Sequence, residues 1–214
     1  LFYTVGARVE RRGIREAYSG RRMILKEGIA SGGTITARLE FGRLCFTDTG
    51  IAVRLEGLEE WEEKIVLAVY WSSLAKYYFF LTLGSWGTWH DKFLERDVPG
   101  LPIRFPREEK ARNRLTAIVD ELQGLKSSTA NKSRKRKAAQ VPRAQMELVG
   151  VSEDEGELSA RVEKLEHELD EQVFGLYELG AEERDQVLEM CELGLDLFYK
   201  SGKSEALQRI ERPS

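Results

Sequence analysis

The stretch Trp71–Pro106, WSSLAKYYFFLTLGSWGTWHDKFLERDVPGLPIRFP, decides the reading of the whole chain. It opens as the end of an apolar helix and breaks at Gly84. It then sets Trp86 and Trp89 on either side of Gly87 and Thr88 and follows them with His90 and Asp91. Pro99, Pro102 and Pro106 close it. Four of the nine Phe and three of the five Pro lie within it, so bulky rings and chain-turning residues are concentrated together. Such a segment is either a buried junction between two subdomains or a rigid platform that presents side chains to a partner.

Immediately upstream, residues 58–82 predict one helix. Trp61, Ile65, Val66, Ala68, Val69, Leu74, Tyr77, Tyr78 and Leu81 recur at spacings of three and four. Glu59, Glu60, Glu62 and Glu63 crowd the first turns, where the helix dipole favours negative charge. Further upstream, residues 1–56 read as β-rich. Ile24-Leu25, TITARLE (34–40), RLCFTD (43–48) and IAVRLE (51–56) are short, enriched in β-branched or aromatic residues and separated by glycine turns. The gaps between them are too short for crossover helices, so an antiparallel sheet or open half-barrel is expected rather than a parallel βαβ fold.

Downstream, residues 107–125 predict a helix with Leu115, Ile118, Val119, Leu122 and Leu125 as its stripe. Composition then changes: KSSTANKSRKRKAAQVPRAQ (126–145) reads as a basic, mobile linker. Helix resumes over 153–176, where Leu158, Val162, Leu165, Leu169, Val173 and Leu176 make a narrow seam suited to one partner helix, the obvious one being 107–125. A last helix, 181–200, follows Gly180. The expected fold class is therefore α+β: a small, twisted, mostly antiparallel β-rich lobe (1–106, with a central helix 58–82) on a coiled-coil-like helical support (107–214).

Net charge of −3 conceals strong segregation. Residues 1–55 carry ten basic against five acidic side chains, and residues 126–146 carry seven basic and no acidic ones. Residues 147–214 reverse this, with seven basic against nineteen acidic. A polyanion responds to the local face, so the front and the middle suit phosphates and the tail does not. The two cysteines, Cys45 and Cys191, are far apart without metal-ligand neighbours, as in a reducing compartment. Neither an apolar run of membrane-spanning length nor a secretory leader is read at the start LFYTVGARVERRG, and the first residue is Leu, as in a fragment or processed product.

Catalytic signatures are sparse. There is no Walker-type loop, no G-x-G-x-x-G after a strand, no G-x-S-x-G and no pair of adjacent prolines. With only His90 and His167, the latter among surface Glu and Lys, a histidine-built metal site is not expected. Asp97, Glu108 and Lys110 stand in a nuclease-like D…E-x-K order. The simpler reading makes Glu108, Glu109 and Lys110 the charged first turn of the helix after Pro106. Neither catalytic nor metal-binding residues are assigned.

The binding candidates are basic and aromatic. Arg11, Arg12, Arg15, Arg21, Arg22 and Lys26 are interleaved with Gly and Tyr18, as a groove-reading surface requires. Solvated sheet edges would give the same pattern. Ser31, in the Ser31-Gly32-Gly33 turn, and Trp89 and His90 complete that face, although the Trp86–His90 loop also reads as core, as a stacking platform or as a turn that lets backbone approach a ligand. Lys135 and Arg136, in the run 134–137, fit a solvated linker, a phosphate-contacting arm or a nuclear-localisation-type signal.

SGRRMILKEGI (19–29), GGTITARLEFGRLCFTDTGIAVRL (32–55), LAKYYFFLTLGSWGTWHDKFLERDVPGLPIRFP (74–106), IVDEL (118–122) and LEHELDEQVFGLYELGAEERDQV (165–187) together resemble the C-terminal target-recognition (specificity) region of N6-adenine DNA methyltransferases. These belong to restriction–modification and related phage-defence systems, the TaqI-like group and its multidomain relatives. The resemblance covers nearly the whole chain in order and rests on pattern, since none of these segments is a catalytic motif. It implies double-stranded DNA as partner and a bacterial or archaeal cytoplasm. It also implies a methyltransferase catalytic domain, in cis or trans, that holds S-adenosylmethionine and the N/D-P-P-aromatic tetrapeptide, both lacking here. The basic linker departs from the short loop expected of that family. The rival class is a helical protein-interaction or scaffold module with an incidental basic surface.

Overall fold

The computed structural model describes residues 18–29, 33–44, 46, 49–84, 86, 91–138 and 153–204, with side chains described outside 128–138 and 153–155. Three strands, β1 (Arg22–Lys26), β2 (Ala37–Glu40) and β3 (Gly50–Arg54), form one antiparallel sheet in the order β2-β1-β3. Six α-helices follow among the described residues: α1 (Glu60–Trp71), α2 (Ser73–Thr82), α3 (Glu109–Ala138), α4 (Glu153–Leu176), α5 (Ala181–Glu189) and α6 (Leu195–Lys200). A π-helical turn, Met190–Gly194, joins the last two. The class is α+β, a small antiparallel sheet on helices, as the residue pattern predicts.

Strand alternation sets the two faces of the sheet. Met23, Leu25, Ala37 and Leu39 point inward and are buried, while Ile24, Lys26, Arg38 and Arg54 occupy the outward register. Because β1 is central, the chain must cross it between β2 and β3. Gly42, at φ +88°, turns the chain off the sheet after Phe41. Residues 43, 44 and 46 therefore belong to a crossover and not to the strand expected over 43–48. Phe46 seats against Gly50, where a Cβ would stand 2.9 Å from its ring.

The helix expected over 58–82 is two helices. Ser72 adopts an extended conformation (φ −72°, ψ 158°); its N–H closes α1 on the Val69 carbonyl, and its hydroxyl accepts from Ala75 N–H at 3.3 Å to begin α2. A serine that caps in this way competes with helix continuation, and the chain bends by 63°. α1 starts on a reciprocal cap in which the Glu62 carboxylate accepts from Glu59 N–H at 2.8 Å. Among the described residues no single helix is long and apolar enough to cross a membrane. α1 is apolar because it is central, with Ile65 through Tyr70 all buried.

One continuous core joins both sides of residue 106. Met23, Leu25 and Leu39 of the sheet meet Ile65, Ala68, Phe79 and Phe93, and beyond them Leu115, Ile118, Val119 and Leu122 of α3 and Leu165, Leu169 and Val173 of α4. Phe79 and Phe93 are fully buried and pack edge to face at 4.9 Å. The leucine seam of α4 thus packs where expected, braced by Glu121–Arg161 (2.7 Å) and Arg114–Glu168 across α3 and α4. The expected linker is shorter than its composition implies. α3 continues through Ala138, so 126–138 are helical and only 139–145 of that segment lie outside the described residues. No Gly or Pro interrupts 125–138, and Lys, Arg and Ala are strong helix formers. Lys126 anchors the extension, its Nζ 4.4 Å from the Trp71 ring centroid and 3.0 Å from Glu166. The helix spans about 45 Å at 1.5 Å per residue.

The junction that decided the reading ties the sheet to the last helices. Ile29 N–H donates to Asp91 O and Phe93 N–H to Glu27 O, both at 2.8 Å, so residues 91–93 extend the sheet. Trp86 is buried, donates its indole N–H to the Tyr199 hydroxyl at 2.8 Å and stands edge to face with Phe80. Burial pushes the Tyr199 phenol up to about 12. Trp86 therefore takes the core reading among those its loop allowed.

The π turn brings the Cys191 thiol to 3.4 Å from the Ser73 carbonyl, and burial pushes that thiol up to about 11. At pH 8 it is almost wholly protonated and a poor nucleophile. In a Cys45→Ser chain, alkylation of Cys191 is expected to be at least ~100-fold slower than for a free thiol of ordinary pKa. A rate close to that of a free thiol would show that the turn opens.

Candidate nucleic-acid interface

Of the expected binding residues, Arg21, Arg22 and Lys26 fall within the described residues. Arg11, Arg12, Arg15, Ser31, Trp89 and His90 lie outside them. Lys135 and Arg136 sit on the C-terminal part of α3, where only the backbone is described.

Arg21 and Arg22 are neighbours with opposite fates. Arg21, on the approach to β1, forks onto Glu63 of α1: Nε to Oε1 at 2.6 Å and Nη2 to Oε2 at 2.7 Å. The Glu63 carboxylate is fully buried, while the Arg21 side chain remains 46% exposed. The bond from Glu63 raises the Arg21 pKa further and fixes its guanidinium plane. That plane stands 5.0 Å from the ring centroid of Phe41.

Arg22, expected to face DNA, is instead completely buried. It occupies the outward register of β1, but its guanidinium is drawn under the turns at Gly20 and Gly42. Its Nη1 donates to Gly20 O at 2.7 Å and Gly42 O at 2.9 Å, while Nε and Nη2 meet no acceptor. Among the described residues no carboxylate pairs with it. A buried cation is costly, and it adds positive potential beneath the turn at Gly42. Lys26 is exposed as expected but lies at the other end of β1, about 13 Å away at ~3.3 Å per residue.

The Arg22 end of the sheet carries exposed residues that were not singled out. Register pairs Arg22 with Glu40 on one side and Arg54 on the other. Arg54 is 58% exposed, 3.9 Å from Glu56, and Arg38 is 54% exposed, 2.9 Å from Glu40. Arg43 is exposed just past Gly42. Phe41, one residue past β2, has 49% of its surface open and stands beside the Arg21 guanidinium. The alternation in ARLEFGR carried the signal: Arg38 and Glu40 share the outward face, and Gly42 turns the next residues away from the sheet. By contrast Gly33, placed in the ligand-facing turn, is buried at φ +77°. A Cβ there would stand 2.6 Å from Leu195 and 3.3 Å from Trp86. It faces the core and not a ligand.

Asp97, Glu108 and Lys110 do not assemble a catalytic centre. Asp97 caps its own turn, accepting from Leu94 N–H at 2.9 Å, and Glu108 opens α3, its carbonyl accepting from Arg112 N–H. No group of three or more His, Cys, Asp or Glu among the described residues is placed to hold a metal ion. His167 is exposed on α4. The described sheet is antiparallel throughout and offers no strand–turn–helix crossover that would set a helix N-terminus against a nucleotide.

The fold and site thus define an α+β chain whose small sheet ends in an arginine-rich, aromatic-tipped edge. No family model matches it, and neither a curated protein nor a solved structure does.

Proposed function

We propose that this chain is the DNA-recognition part of an N6-adenine DNA methyltransferase or restriction–modification enzyme. It reads duplex DNA and presents the target adenine to a separate catalytic domain, in cis or in trans, that binds S-adenosylmethionine. The resemblance of residues 19–187 supports the family. The observation that carries the DNA reading is the open end of the sheet, which presents Arg38 and Arg54 on its outward face, the exposed Arg43 past Gly42, and an exposed Phe41 with the Arg21 guanidinium 5.0 Å from its ring centroid. Arginine is the side chain best matched to phosphate oxygens and guanine edges. α3 braces this lobe from behind, Gln123 accepting from Leu39 N–H of β2.

Titration of the 214-residue chain on duplex DNA across salt concentrations tests this. Affinity is expected to fall steeply, with a log–log slope of about −0.9 for each phosphate contacted. Arg38→Gln with Arg54→Gln is expected to flatten that slope by roughly 0.9 for each phosphate no longer neutralised. Glu182→Gln with Glu189→Gln on α5 is expected to leave it unchanged. Absence of binding at low salt, or equal effects from both pairs, would overturn DNA recognition by this face and favour a protein-interaction module.

A further inference from the structure

We propose that Phe41 is an aromatic wedge that enters the DNA base stack, with Arg43 gripping the adjacent phosphate. This deepens the DNA-recognition reading and rests on it.

Phe41 has half its surface in water, at the tip of β2, with one face beside the Arg21 guanidinium. Hydrophobic burial opposes the placement, and the exposed residue takes no part in the core. The ring is nevertheless held. Its preceding strand is registered against β1, and the Arg21 guanidinium lies 5.0 Å from its centroid. That guanidinium is itself locked by two short bonds to the buried Glu63. A ring positioned in this way loses little freedom on contact, as a stacking group requires. Gly42 follows at φ +88°, and a Cβ there would meet nothing within 4 Å. The backbone beside the ring can therefore approach another backbone closely. Its carbonyl is held by Nη1 of the buried Arg22, two of whose nitrogens have no acceptor. The buried Arg22 guanidinium beneath the turn and the exposed Arg43 beyond it favour an anion beside the ring. Apolar wedges that open a base step are paired with cationic contacts to the flanking phosphates, and base–aromatic stacking tolerates any sequence.

The 214-residue chain and its Phe41→Ala, Phe41→Trp and Arg43→Gln variants would be titrated on two mixed-sequence duplexes of about 30 base pairs. One is intact; the other contains a single abasic site, which lowers the cost of entering the stack. The unmodified chain is expected to prefer the abasic duplex. Phe41→Ala is expected to bind that duplex roughly 5- to 150-fold more weakly, with its salt slope unchanged. Phe41→Trp is expected to retain affinity and preference. Arg43→Gln is expected to reduce the salt slope by about one while keeping the preference. Thermal melting monitors folding, which an exposed ring is not expected to affect. If Phe41→Ala binds both duplexes as the unmodified chain does, the wedge is overturned and DNA recognition stands. If the unmodified chain binds neither duplex, both fall.

Discussion

Replacing Trp86 by alanine is expected to lower the unfolding free energy by about 3–5 kcal/mol, a large share of the roughly 5–15 kcal/mol that holds a domain of this size. The indole joins parts of the chain that are far apart in sequence. One edge meets Gly33, before β2; one face meets Phe80 on α2; its N–H reaches Tyr199 on α6. Truncation leaves a cavity where sheet, α2 and α6 converge, and removes the hydrogen-bond donor from the Tyr199 hydroxyl. Trp86→Phe keeps most of the ring packing and is expected to cost clearly less. Gly33→Ala attacks the same joint from the other side, through a left-handed φ and a Cβ 2.6 Å from Leu195. Urea unfolding at unchanged m-value measures all three. Equal stability for the alanine and phenylalanine variants at position 86 would show that the indole is not the joint.

Asp170→Ala is expected to cost about 2–3 kcal/mol near neutral pH, whereas Asp170→Asn is expected to be at least as stable as the unmodified chain. The Asp170 carboxylate is buried on α4. It accepts from Ser73 N–H at 2.7 Å and from the Ser73 hydroxyl at 2.6 Å, at the start of α2. Alanine strands both buried donors, whereas asparagine keeps an acceptor and replaces the second bond by donating to the hydroxyl. Burial raises the Asp170 pKa above its ordinary value of 3.8, outweighing the lowering effect of the Ser73 bonds. The folded chain therefore holds this proton at a higher pH than the unfolded chain. Its contribution is fully present below pH 3.8 and is lost as pH rises through the folded pKa. Denaturation of the unmodified chain and of the Asp170→Asn variant, from about pH 3 upward, should show the former losing stability relative to the latter. A relative gain over that range would contradict the assignment.

Legibility differed by element for physical reasons. The seam Leu165, Leu169 and Val173 was readable because a helix with one buried side repeats its apolar residues at fixed spacing. The three strands were readable from β-branched and aromatic enrichment between glycine turns, but the same signal misplaced a strand over the segment 43–48. Its composition suits a strand, and only the β2-β1-β3 order turns it into a crossover. Composition also misled over 126–138, where a polar, basic run low in hydropathy is also a run of good helix formers. Ser72 breaks α1 from α2 through its own hydroxyl, a local signal that the continuous apolar stripe obscured.

The sequence by itself determined the class of fold, the charge segregation and the absence of nucleotide-loop and catalytic motifs, because periodicity, charge and motif spacing are properties of the chain written in one dimension. Trp71–Pro106 stood out on composition alone, as either a junction or a presenting platform. Tertiary structure alone decided what the arginines at its far side do. Arg21 and Arg22 are adjacent and chemically identical, yet one forks onto Glu63 at the surface while the other is sealed under Gly42. Consecutive strand residues face opposite ways, and the chain segment that covers one of those faces arrives from some twenty residues away. The turn at Gly42 leaves Phe41 exposed beside the Arg21 guanidinium, a placement that spacing along the chain does not encode.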